Sequence, residues 1–211
     1  MRRWIEKSQA VLETPLGVAP RALLVVAVLL LLPCYFFPLY DMTMFAPQYP
    51  DGLRLHIYSY YLDGGNGGQD VREINVLNHY IGMKDLATDD FTEFKWIPFV
   101  VGAFGLLFLR TAVLGTMAHL VDVLVLYLYF GLFSLWSFAY KMYSYGHHLN
   151  PTAAVKVPPF TPPLFGYAKM ANFEIYSYPA IASYALAGVA LLLAVAAYLT
   201  WRQRPEAGGA S

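Results

Sequence analysis

The 211-residue chain is 58% hydrophobic and 17% aromatic but only 13% charged, a balance that excludes an ordinary soluble domain. Fourteen Lys/Arg against fourteen Asp/Glu leave zero formal charge and no basic run, which excludes a nucleic-acid-binding surface. The one cysteine, Cys34, excludes an internal disulfide and any Cys-x-x-Cys redox or zinc motif, and the class that remains is an integral membrane protein.

Residues 1 to 21 form an arm carrying Arg2, Arg3, Lys7 and Arg21, and residues 22 to 40 are an apolar run from Ala22 to Tyr40. A helix of that length crosses a hydrocarbon core of about 30 Å. The run exceeds the core of a secretory signal and no small-residue cleavage site follows it, so it reads as an uncleaved anchor. Pro33 and Pro38 each remove a backbone donor and are expected to loosen its last turns.

Residues 41 to 96 form a first polar loop. Leu53 to Leu62 alternates, with Arg54, His56, Tyr58 and Tyr60 on one face, and ends in Asp63-Gly64-Gly65-Asn66-Gly67-Gly68. Those glycines supply the positive φ of a reversal, so a β-hairpin returning through Val71 to Leu77 is expected. They are not a phosphate loop, because no Gly-Lys-Ser/Thr and no helical pattern follow.

A second span over residues 97 to 115 is entered through Trp96 and Pro98, and after 116 to 118 a third runs over 119 to 140. So short a connection predicts an antiparallel helical hairpin. Residues 141 to 177 form a second loop, extended by Pro151, Pro158, Pro159, Pro162 and Pro163. The fourth span covers 179 to 201, rich in Ala and carrying Gly188, which favours close helix approach. A tail follows over 202 to 211.

Charge predicts the topology. The arm, the tight turn with nearby Arg110, and Arg202 and Arg204 hold seven Lys/Arg in about 35 residues, against seven in about 90 for the two loops. Positive residues favour the cytoplasm, which places both termini inside and both loops outside, facing the periplasm of a bacterial inner membrane. Tyr35, Tyr40, Trp96, Tyr140, Tyr143, Tyr176 and Tyr178 would line the outer boundary, and Trp4, Tyr198 and Trp201 the inner one. The expected fold is thus an all-α membrane protein of four transmembrane helices, N-in/C-in, with a small extracytoplasmic cap containing a β-hairpin.

The outer loops hold a set of soft and borderline metal ligands. His79 and Met83, inside Glu73 to Met83, lead it, with Met42, Met44, His147 and His148 behind them and His56, Met142 and Met170 in the same loops. Thioether sulfur favours Cu(I) and imidazole suits either copper oxidation state, so copper is the expected metal. His79 and Met83, at i and i+4, would share a face of a helix.

Within the spans, Arg110, His119 and Asp122 are the ionisable candidates, and Arg110 with Asp122 is the expected intramembrane ion pair. A proton path through them is the sharper alternative, and haem ligation is disfavoured because His119 is the one histidine in a span. Asn75, Asn78, Asn172, Tyr80 and Tyr145 are expected to organise the cap by hydrogen bonds. Asp89, Asp90 and Glu93 read as a solvated turn. No Gly-x-Ser-x-Gly, His-Glu-x-x-His or paired-carboxylate motif argues for a hydrolase.

Four stretches carry a family resemblance: Ala46 to Leu53 (APQYPDGL), Ile74 to Lys84 (INVLNHYIGMK), Gly146 to Pro151 (GHHLNP) and Pro162 to Gly166 (PPLFG). They resemble a membrane-protein family that accompanies atypical (clade II) nitrous oxide reductase gene clusters. The resemblance covers both loops and the order of spans. It implies a role in maturing, supplying copper to, or sustaining electron flow to a periplasmic multicopper enzyme. This chain has His148 where that family would be expected to carry an acidic residue after His147.

Together these readings predict a non-enzymatic accessory factor for a periplasmic respiratory metalloenzyme, with the lipid bilayer and a periplasmic or membrane protein as partners. A metal-free docking subunit of an electron-transfer or transporter complex is the alternative. A small transporter using Arg110, His119 and Asp122 is the third.

Overall fold

The computed structural model describes residues 9–170 and 173–203, with residue 170 described by its backbone alone. Arg2, Arg3, Trp4, Lys7, Asn172, Arg204 and the rest of the tail, and the Met170 side chain, lie outside that description. The chain divides into a helical unit, Met1–Leu32 with Val100–Gly131 and Ala185–Ser211, and a sheet-containing unit, Pro33–Phe99 with Leu132–Tyr184.

Four helices are long and apolar enough to cross a membrane, over Val18–Phe36, Glu93–Leu114, Met117–His147 and Ile181–Arg202. The first consists of α1 (Val18–Leu31) and the short α2 (Pro33–Phe36), with the break at Pro33, whose nitrogen carries no hydrogen. Tyr40, expected inside this span, instead opens a strand. The second helix is α4 (Glu93–Leu114) and begins a turn earlier than expected, so Pro98 lies within it rather than at its start. The third, α5 (Met117–His147), runs seven residues beyond Tyr140, and the fourth is α6 (Ile181–Arg202).

In the helical unit, Leu24 and Ala27 of α1, Phe104 and Phe108 of α4, Leu120 and Tyr127 of α5, and Val189 and Leu193 of α6 are each buried. Phe104 meets Tyr127 edge-on with ring centroids 5.1 Å apart, and the Tyr127 hydroxyl donates to the Leu186 carbonyl at 2.9 Å. A Cβ on Gly188 would come within 2.9 Å of Leu30, which shows how closely α6 approaches α1. The short turn between α4 and α5 is tied down by residues just before α1 and by Arg21 in its first turn. Leu16 donates to Gly115, Met117 donates to Thr14, and Arg21 reaches the Val113 carbonyl at 3.0 Å.

The sheet-containing unit holds five antiparallel strands in the order β3-β2-β1-β5-β4. They are β1 (Tyr40–Ala46), β2 (Tyr49–Ile57), β3 (Leu62–Gly64), β4 (Gly166–Met170) and β5 (Phe173–Pro179). The expected hairpin is corrected here: β2 pairs back onto β1, and Val71 to Leu77 is helical, inside α3 (Gln69–Ile81). The glycine-rich turn therefore starts a helix instead of closing a hairpin. Asp70, buried at its first turn, accepts the Arg54 amide at 2.9 Å and the Asn66 side-chain amide at 2.8 Å, and so fixes the turn.

The central pairing joins the two loops. Met42 stands opposite Leu55 on β2 and Ser177 on β5, and Met44 opposite Leu53 and Ile175. Side chains alternate across a strand, so Tyr40, Met42, Met44, Leu53, Leu55, Ile57 and Ile175 share one face. That face builds the unit's core with Ile74, Phe91, Phe94, Met142 and Tyr145.

Candidate functional site

On the apolar side of the sheet, β1 presents Met42 and Met44, α3 presents Ile74, Leu77 and Asn78, and α5 presents Met142 and Tyr145. With Met83, just past α3, and Phe160 and Pro162 from the second loop, they line a single cavity. Four of the chain's seven methionines thus face one space. About 60 Å³ of it is open to a water-sized molecule.

Local backbone chemistry sends Met83 inward and His79 outward. α3 ends at Gly82, whose φ of +76° is the left-handed conformation that closes a helix, and the Met83 amide returns to the Asn78 carbonyl at 2.8 Å. The helix therefore does not continue through Met83. His79 stays exposed on α3 while Met83 is half-buried, so the two do not act as an i, i+4 pair on one helical face.

Gly82 also lets the second loop approach. The Asn150 amide donates to the Gly82 carbonyl at 2.8 Å, and a Cβ on Gly82 would sit 2.7 Å from the Asn150 oxygen. At Gly146 the approach is closer still: Phe160 donates to its carbonyl at 3.1 Å, and a Cβ there would overlap the Phe160 oxygen. The two glycines anchor the Pro-rich loop that brings Phe160 and Pro162 to the cavity.

The other candidates lie elsewhere, each with local partners. His147 Nδ1 bonds the Tyr143 carbonyl at 3.0 Å and its ring stacks on Tyr143, while His148 Nδ1 bonds the Ser144 carbonyl at 3.0 Å. These histidines satisfy carbonyls of the last turn of α5. His56 Nδ1 lies 2.7 Å from Asp41 on the opposite face of the sheet. His119 bonds Thr116 at the start of α5. The expected Arg110–Asp122 ion pair does not form: both side chains are exposed, and the pairs among the described residues are His56–Asp41, Lys84–Asp90, Lys141–Glu93 and Lys169–Glu174. Long charged side chains near helix ends reach polar surroundings without a partner, so insertion does not demand one.

Asn75 binds the Leu86 backbone through both side-chain atoms, at 3.1 and 2.7 Å, and holds the segment after α3 in place. Asn78 is different. It is 1% exposed and its Nδ2 has no hydrogen-bond partner; nor does the hydroxyl of Tyr145, which is 7% exposed. Both residues line the cavity, and no charged side chain does.

Among the described residues, no three His, Cys, Asp or Glu side chains gather as a metal site. Met142 stood in the sequence among the soft ligands of the loops; its place beside Met42, Met44 and Met83 follows from pairings between distant segments. Among known proteins, no family model, curated protein or solved structure matches this chain.

Proposed function

We propose that the protein is a membrane-anchored, non-enzymatic accessory factor that handles Cu(I) at the thioethers of Met42, Met44, Met83 and Met142. The supporting observation is that all four line one cavity. Thioether sulfur is a soft donor that selects Cu(I) over harder cations. Size favours an ion over an organic cofactor, because small-molecule pockets run to roughly 300–1,000 Å³. His79, His147 and His148 do not line this cavity and are left out of the proposed ligand set.

The client we assign is a periplasmic respiratory multicopper enzyme, of the nitrous oxide reductase kind that the resemblance suggests. In this reading both termini are cytoplasmic and the two loops, residues 41 to 96 and 141 to 177, are periplasmic, as the Lys/Arg distribution favours. Cys34 is buried, so a membrane-impermeant thiol reagent is expected to leave it unlabelled. A cysteine introduced at Pro158 is then labelled in intact spheroplasts and one at Thr116 is not; the reverse pattern overturns the orientation.

The test of the copper reading is competition between the detergent-purified chain and a chromogenic Cu(I) chelator under anaerobic, reducing conditions. Near-stoichiometric binding is expected, weakened about tenfold or more in a Met42→Leu/Met83→Leu variant that keeps side-chain volume. His79→Ala should change nothing. Binding no stronger than a detergent control, or binding lost in His79→Ala alone, overturns the reading.

A docking role without metal has its own support in the opposite face of the sheet. There Phe165, Tyr167 and Tyr178 are exposed, and large exposed aromatics are characteristic of protein interfaces. Reversal of co-purification by Tyr167→Ser/Tyr178→Ser, with the methionines intact, would favour it.

A further inference from the structure

Asn66 stands apart in two ways. Of the chain's five asparagines it alone precedes a glycine, and among the described residues it alone is a non-glycine with positive φ, at +54°. Gly67 and Gly68 continue the left-handed turn at +67° and +88°, and a Cβ at either would meet nothing within 4 Å. Asn66 and Gly67 are both exposed to solvent. Glycine adds no side chain to shield its own amide nitrogen, and the space around Gly67 is open, so little hinders approach of that nitrogen to the Asn66 carboxamide.

Against the carboxamide lies Asp70, 2% exposed. One of its oxygens accepts Asn66 Nδ2 at 2.8 Å and the other accepts the Arg54 amide at 2.9 Å, while the Asp70 amide donates to the Gly65 carbonyl at 3.3 Å. Asn66 thus offers a donor to a nearly buried carboxylate that joins the first turn of α3 to β2. A carboxylate in place of the carboxamide would set two like charges in contact, and they would repel.

We propose that Asn66–Gly67 is a site of spontaneous deamidation, and that conversion of Asn66 releases the start of α3. The Gly67 nitrogen gives its proton to water and bonds to Asn66 Cγ; the Cγ–Nδ2 bond breaks and ammonia departs. Water then opens the cyclic imide, leaving aspartate or, where the main chain comes to run through the side chain, isoaspartate. No electrons are exchanged, and the net change is amide and water to acid and ammonia. The new carboxylate repels Asp70, and the tie from Asp70 to Arg54 is lost; the isoaspartyl form also lengthens the turn by a methylene. Conversion runs one way, so the state of this turn records the age of the molecule. It is independent of the copper reading, because it acts at the start of α3 and not at the thioethers.

In the experiment, the detergent-purified chain is aged at mildly alkaline pH in water labelled with heavy oxygen, then cut by trypsin after Arg54 and Arg72 for mass spectrometry. Heavy oxygen at residue 66 of the folded chain is expected. Hydrogen exchange over residues 69–74 should be about tenfold or more faster in the converted fraction than in the unconverted one. Asn66→Asp should reproduce the faster exchange. Asn66→Gly, which fits a positive φ and cannot convert, should stay near the native rate. Conversion that occurs in the denatured chain but not in the folded one overturns the proposal. So does exchange unchanged by conversion, or raised as much in Asn66→Gly as in Asn66→Asp, because charge would then not be the cause.

Discussion

The helical unit and the outward face of the sheet meet opposite solvents. In the helical unit the residues turned outward are Val25, Leu29, Leu106, Val113, Val125 and Leu128, and Leu106 is 71% exposed. In the sheet-containing unit the outward face carries Asp41, Arg54, His56, Lys169 and Glu174, in part as cross-strand pairs, while the inward side holds buried Asp70, Asn78 and Ser177. Apolar outside suits a lipid bilayer; polar outside, with a few polar groups within, suits water. The lesson is that composition averaged over the chain describes neither half.

The largest effect that would break this contrast is expected at Gly146. The Phe160 oxygen already occupies the place of any Cβ there, so Gly146→Val must expel the second loop from the sheet-containing unit. A cost of several kcal/mol is expected, at the upper end for single substitutions. Proteolysis near residues 150–163 should rise sharply, while the helical unit keeps its far-ultraviolet dichroism. Loss of helix from both units together would show that they do not differ as described.

A smaller effect sharpens the contrast. An arginine at Leu106 is expected to cost about 2.5–3.5 kcal/mol of membrane insertion, as for any charge deep in a span. At Tyr167, on the outward face of the sheet, arginine should change stability by less than about 0.5 kcal/mol. Glycosylation-based insertion assays for the first and thermal unfolding in detergent for the second provide the measurements. Equal costs at both sites would sink the assignment of two solvents.

The smallest expected effect concerns acid. Tyr49 donates a hydrogen bond to Glu73, as does Gln69, and together they hold the Glu73 carboxyl below the ordinary glutamate range, with the Tyr49 bond the stronger cause. A carboxylate whose pKa falls on folding contributes stability above its unfolded value of about 4.3. That contribution fades as pH drops through the lower folded value. Unfolding midpoints followed below about pH 4 should therefore fall less steeply in Tyr49→Phe than in the native chain. Identical slopes would remove this contribution.

The four apolar helices were legible because a run of about 20 apolar residues has few other fates. Their ends were less so. Lys141 and Ser144 look like loop, yet α5 continues to His147, with Lys141 lying 3.7 Å from Glu93. α3 was disguised by its own core: Ile74, Asn78 and Ile81 follow helical spacing, but an asparagine in the middle of the stripe breaks the apolar pattern. The signal that would have found it was Gly82, a C-cap placed just after the stripe.

Of the candidate site, the residue types could be read and their company could not. Met42 and Met44 were set apart by chemistry, but that they share a cavity with Met83 and Met142 depends on α3 and α5 packing against the same face of the sheet. Nothing local encodes such pairings. His147 and His148 show the converse: they stand out as a pair in one dimension, and in three each bonds a carbonyl of the last turn of α5 through Nδ1 and neither lines the cavity.

The pairing of β1 with β5 also sets a schedule. Phe45 lies opposite Glu174, about 130 positions later, with two of the long apolar helices between them. At roughly 5–20 residues per second of synthesis, β1 waits on the order of ten seconds for β5. Throughout that wait β1 offers an unpaired edge, a template for any extended segment that arrives first. The order of manufacture thus makes the hairpin of β1 and β2 the stage of biogenesis at which this chain is most open to capture, whether by a chaperone or by a strand from another protein.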